Sequence, residues 1–107
     1  MSGGGGGAGG GGPDVDSDVP CDRLVFETEL QSVRLSVARR VKPADRLSVV
    51  IDGPGQPIVA RHKRHGDVGS IISRIPDLLR CHDRGYSYEA EVLTVSSARI
   101  HVRVAPE

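Results

Sequence analysis

The sequence predicts an α+β domain: a small barrel-like sheet of about six strands, with one short helix near residues 76–84 plugging its end. Three observations lead there. Apolar and polar side chains alternate through most segments from Leu24 onward, the period of a half-buried strand. Only one segment, around Ile71 to Leu79, carries a helical period. Turn formers separate these segments at short intervals, and no internal repeat is present.

Leu24, Phe26, Thr28 and Leu30 alternate with Val25, Glu27, Glu29 and Gln31. The pattern resumes at Val33, Leu35 and Val37, so Leu24 to Val37 reads as one long bent strand or a hairpin. Lys42-Pro43-Ala44-Asp45 then turns the chain, because Pro43 fixes its own φ and biases Lys42 away from helix. Leu47, Val49 and Ile51 form the next strand, which the turn formers of Asp52-Gly53-Pro54-Gly55-Gln56-Pro57 end. Ile58 to Arg61 is a short strand, and a basic loop from Arg61 to Gly66 follows.

Ile71, Ile72, Ile75, Leu78 and Leu79 share one helix face, but Pro76 would interrupt a helix running through it. Pro suits the first helical position, so Val68 to Ile72 reads as strand and Pro76 to Arg84 as helix. Asp77 near its start and Arg80, His82 and Arg84 near its end suit the helix dipole, and Gly85 ends it. Tyr86 to Val95 and Ala98 to Ala105 form a terminal hairpin. In its last strand Ile100, Val102 and Val104 face one way and Arg99, His101 and Arg103 the other, which predicts a wet, cationic outer face.

Residues 1–20 stand apart. They hold nine of the 14 glycines, and their only charges are Asp14, Asp16 and Asp18. Such a stretch buries too little apolar surface to offset its ordering entropy and reads as a disordered tail, leaving residues 21–107 as a single domain. The whole chain balances 14 Lys and Arg against 14 Asp and Glu, so without the tail the domain carries an excess of three positive charges. Between Arg34 and Arg84, eleven bases face five acids. No apolar run approaches the ~18 residues of a membrane span, and no basic, then apolar, amino-terminal segment reads as a secretory signal. A cytoplasmic location follows by default, in which Cys21 and Cys81 would remain thiols.

Chemistry-bearing patterns are sparse. His62, His65 and the Cys81-His82 pair offer four ligands in principle, but adjacent residues rarely turn both side chains toward one metal, so no metal site is expected. Cys81 reads instead as a small buried apolar residue. Gly66-Asp67-Val68-Gly69-Ser70 lacks the Lys-Ser/Thr ending of a phosphate loop and reads as a turn into a strand. Glu89 and Glu91 share a strand face with Leu93 and Val95 and read as its solvated end. No catalytic residue, and no cofactor, is expected. Phe26, Tyr86 and Tyr88 are the only aromatics, too few for an extended base-stacking platform. The basic clusters remain: Arg39-Arg40-x-Lys42 and Arg61-x-Lys63-Arg64 lie in loops, where they could follow a nucleic-acid backbone.

The order of residues also resembles that of HIRAN domains. In that family a strand with an Ala-Ile-x-Val core leads through a Gly-containing turn into Val/Ile-Gly-Tyr-Ile-Pro. A helix ending in Asp-x-Gly and a strand of the type x-Ala-x-Val follow. Here Pro57-Ile58-Val59-Ala60, Gly66 to Ile71, Ile75 to Gly85 and Tyr88-Glu89-Ala90-Glu91-Val92 are similar in that order. Val41 to Leu47 is similar to the family's turn between its first two barrel strands, so the resemblance spans about Val33 to Val95. It implies a small OB-like barrel that recognises DNA, especially single-stranded ends. Asp52 to Pro57 stands where the family has an aromatic-containing stretch, and Ser70 where it has Tyr. Of that gripping region, Asp52 and Gln56 are the polar contacts the resemblance implies.

The reading is therefore a non-catalytic module that binds nucleic acid, single-stranded DNA or DNA ends, through backbone charge. Arg39, Arg40, Lys42, Arg61, Lys63 and Arg64 would meet phosphates, with Asp52 and Gln56 as polar contacts and Tyr86 or Tyr88 stacking on a base. The alternative is a protein-interaction or accessory domain that adds a partner's strand at an open sheet edge and binds no nucleic acid.

Overall fold

The computed structural model describes residues 19–107. Alternation becomes burial in six strands: β1 (Phe26–Glu29), β2 (Arg46–Val50), β3 (Ile58–His62), β4 (Gly66–Ile71), β5 (Tyr88–Ser96) and β6 (Arg99–Pro106). They form one antiparallel sheet in the order β1-β6-β5-β2-β3-β4. The sheet curls. Beyond β1 the chain crosses to the far edge, where Gln31 and Ser70 exchange backbone hydrogen bonds of 2.9 and 2.7 Å, and the Arg34 N–H donates to the Val68 carbonyl. On the other side of this bridge no backbone hydrogen bond joins β1 to the end of β4. Only the Thr28 and Ser73 hydroxyls meet, at 2.9 Å.

The inner face is apolar. Leu47, Ile58, Ala60, Val68, Ile71, Ala90, Val92, Ile100, Val102 and Val104 are all buried. Helix α2 (Ile75–Asp83) caps this core with Leu78 and Cys81, starting one residue before Pro76. Pro76 therefore sits in the first turn, where its missing N–H costs nothing. Its helix cap, Arg74, lies in the left-handed region at φ 58°, and the Arg74 and Arg80 guanidiniums both bond the Asp77 carboxylate, at 2.8 and 3.2 Å.

Two expectations need correction. The long bent strand or hairpin expected from Leu24 to Val37 is instead β1 followed by a single helical turn α1 (Leu35–Ala38), with a short 3-10 turn (Cys21–Arg23) ahead of β1. Leu35 is exposed there, while Val37 and Val41, four apart, are buried with Val33 packed beside them. Four-residue spacing is the helical signal that the two-residue spacing of Val33, Leu35 and Val37 obscured. Next, Cys21 and Cys81 are not thiols. They form a disulfide with Cα atoms 5.5 Å apart, tying the chain ahead of β1 to α2. Of the tail assigned to 1–20, residues 1–18 lie outside the described residues, and Val19 and Pro20 lead directly into the 3-10 turn. Val19 packs on the core, and its carbonyl accepts a hydrogen bond from Arg80 at 3.1 Å.

Candidate functional site

Antiparallel pairing decides which loops meet. Because Ser48 lies opposite Arg61, the start of β2 is beside the end of β3, so the loop before β2 and the turn after β3 share one end of the sheet. These two loops carry the two basic clusters. The first is held rigidly: the Lys42 N–H donates to Asp45 Oδ2 at 2.9 Å, and the Asp45 N–H returns to the Lys42 carbonyl at 3.1 Å. The Ala44 N–H donates to the Val92 carbonyl and the Val92 N–H to the Asp45 carbonyl, at 2.7 and 2.8 Å, pinning the loop to β5. The second loop is held by His62, whose Nδ1 accepts the backbone N–H groups of Arg64 and His65 at 3.0 and 3.3 Å. His62 Nε2 lies 3.5 Å from Asp45 Oδ2, which joins the two loops.

Between them is a cleft of about 290 Å³ lined by Arg40, Lys42, Asp45, His62, Lys63, Arg64 and His65. Four cationic side chains therefore face one carboxylate, and that carboxylate is engaged by the Lys42 backbone N–H and by the His62 ring. Among the described residues, none of Arg40, Lys42, Lys63 and Arg64 has a carboxylate within ion-pair distance. The His65 ring stacks on that of His62, with centroids 4.4 Å apart. Desolvation, followed by the charges of His62, Arg40 and Arg64, holds the His65 imidazole below the usual histidine range, against the pull of Asp45. The charges of such a cleft can attract an anion.

The other candidates lie elsewhere. Arg39 is exposed beside the cleft but is not among its lining residues. Arg61 points out of it and donates from Nε to Asp67 Oδ1 at 2.6 Å. That hydrogen bond, outweighing burial, holds the Asp67 carboxyl below the usual range. Asp52 and Gln56 occupy the turn joining β2 to β3, at the opposite end of that hairpin from the cleft. The β2–β5 register, with Arg46 opposite Glu91 and Ser48 opposite Glu89, sends the start of β5 toward that same far end. Tyr86 is exposed there. Tyr88 cannot stack on a ligand as expected, because it is 1 % exposed and its hydroxyl donates to the Cys21 carbonyl at 2.6 Å.

The cationic outer face expected of β6 is also corrected. Glu27 of β1 approaches His101 and Arg103 at 3.3 and 3.5 Å, and Glu91 of β5 approaches Arg103 at 3.9 Å. Neighbouring strands supply the acids that β6 lacks. Likewise Glu89 pairs with Arg46 across the β2–β5 ladder. The histidines of the cleft were legible only as metal-ligand candidates. Cys81, their proposed companion, is bonded to Cys21.

Comparison of the chain with family models, curated proteins and solved structures returns no match.

Proposed function

We propose that the domain is a non-catalytic nucleic-acid-binding module that engages the sugar-phosphate backbone at the cleft between the β2-flanking loop and the β3–β4 turn. One observation carries this reading: Arg40 and Lys42 meet Lys63 and Arg64, some twenty residues away in sequence, around one cleft with no carboxylate paired to any of them among the described residues. Arginine and lysine at a small cleft suit phosphodiester oxygens, which accept hydrogen bonds without needing a particular base. Single-stranded DNA is the favoured ligand, and an OB-like barrel of the HIRAN type is the favoured kinship, on the residue order described above. Arg39 lies close enough in sequence to extend the track.

Fluorescence anisotropy with short single-stranded and 3′-overhang DNA tests it. Binding at low salt that weakens steeply toward moderate salt is expected, since occupancy releases counterions. Lack of binding at low salt, or affinity indifferent to salt, overturns it.

A protein partner is the second reading, favoured by the seam between β1 and the end of β4, where no backbone hydrogen bond is present among the described residues on the β1 side of the Gln31–Ser70 bridge and Ile72 is exposed. Retention of a protein after nuclease treatment in a pull-down favours it. No described helix is long and apolar enough to cross a membrane. A cytoplasmic location remains a proposal, and it requires burial of Cys21 and Cys81 to shield their disulfide from thiol exchange. Alkylation of an acid-quenched lysate followed by mass spectrometry reads the pair's state directly.

A further inference from the structure

The basic cleft contains two imidazoles that phosphate recognition does not require. Resting on the reading of the cleft as a nucleic-acid site, we propose that His65 makes that binding proton-linked, so that the domain takes up a proton with the strand and binds it more tightly as pH falls. Two geometric facts separate the roles of the histidines. The two backbone N–H groups that His62 Nδ1 accepts need a lone pair on that atom, so the proton of the neutral ring sits on Nε2, toward Asp45. His62 is thus a structural strut. His65 makes no side-chain hydrogen bond among the described residues and is held only by stacking on His62, which leaves its ring nitrogens available to a ligand.

The titratable and charged groups facing His65 are Arg40, Lys42 and Asp45 from the loop before β2, and His62, Lys63 and Arg64 from the turn after β3. Before a ligand is seated, desolvation first and the surrounding cations second oppose a positive charge on this ring. A phosphate seated among them offsets part of that positive field and gives the imidazolium a charged acceptor. Bound protein then holds more protons than free protein. By linkage, affinity must rise as pH falls through the interval between the free and bound values of His65 and level off below it. Each unit separating those two values contributes about tenfold.

The test uses the full chain and a short oligothymidylate with hydroxyls at both ends, whose phosphodiesters and bases do not titrate over the interval. Anisotropy titrations at fixed low salt from about pH 8 to about pH 5.5 bracket the histidine range. Affinity should increase by several-fold to about tenfold across it. Calorimetry in buffers of different ionisation enthalpy should register proton uptake. His65→Gln should bring the ratio of dissociation constants at the two ends of the range close to one. His101→Gln, on the outer face of β6, should keep the wild-type slope. Binding that is independent of pH in the wild type, or a slope that survives His65→Gln, overturns proton linkage while leaving the nucleic-acid reading intact. No binding at any pH overturns both.

Discussion

Gly69 closes the sheet. A Cβ there would lie 2.9 Å from the Gln31 carbonyl oxygen, 3.1 Å from Leu30 Cβ and 3.3 Å from Val33 Cγ2, in the segment that crosses from β1 to β4. Two of these neighbours are backbone or Cβ, so neither can swing aside. Gly69→Ala should therefore push the crossing segment off β4 and cost about 1–3 kcal/mol, the usual scale for overpacking a tight core, read by thermal or urea unfolding. The sequence shows this glycine only as part of a turn-like Gly-rich stretch. Its need is a close approach between residues about forty positions apart, and local pattern carries no trace of that. Asp77 offers a second test. Burial pushes its carboxyl up, but the hydrogen bonds and charges of Arg74 and Arg80 outweigh it and hold the group below the usual carboxylate range. A depressed folded value means the contribution to stability is complete above the unfolded value of ~3.9 and is lost as pH falls through the folded one. Asp77→Asn should lower stability at neutral pH and flatten the acid limb of the stability profile, measured by urea unfolding at several pH values.

At the scale of elements, β2, β3, β5 and β6 were legible because each is buried on one face, which writes a period of two into the sequence. Helix α2 was legible from its apolar face and from Pro76 and Gly85 at its ends. The stretch ahead of β2 was not, since α1 is a single turn too short to show a period of its own. The disulfide escaped for a different reason: two cysteines 60 residues apart become neighbours only when α2 folds back over the 3-10 turn before β1. Cross-linking a loop of that length removes chain entropy from the unfolded state worth about 4 kcal/mol. The double variant Cys21→Ala, Cys81→Ala should accordingly unfold at a markedly lower temperature than the oxidised protein. It should leave the cleft unaffected, because the β2–β3 and β2–β5 pairings that build it do not involve α2.

For the whole molecule, charge placement matters more than charge total. The three basic clusters are equally visible in the sequence, yet the fold treats them differently. Residues 40–42 and 62–65 converge on one cleft, Arg61 is paired with Asp67, and the outer face of β6 is answered by Glu27 and Glu91. Which acids stand opposite a base depends on strand register, and a chain read in one dimension does not display it. Equal changes of net charge should therefore have unequal effects. Replacing Lys42 and Lys63 by Gln should weaken DNA binding and reduce the slope of log affinity against log salt by about one to two. The same loss of two charges through Arg99→Gln and Arg103→Gln should leave that slope nearly unchanged. Anisotropy titrations over a salt series compare them directly.

The pairing of β1 with β6 also sets a timetable for assembly. Phe26 lies opposite Val104, so one of the first segments of the domain to be synthesised pairs with one of the last. The β2–β3, β3–β4 and β5–β6 hairpins can form as their residues emerge, but β1 has no neighbouring strand until β6 leaves the ribosome. Final closure is a non-local search that places folding among the slower, millisecond-to-second β topologies. A chain stalled before Arg99 would hold a formed cleft beside an unpaired β1, competent in charge yet open along one side.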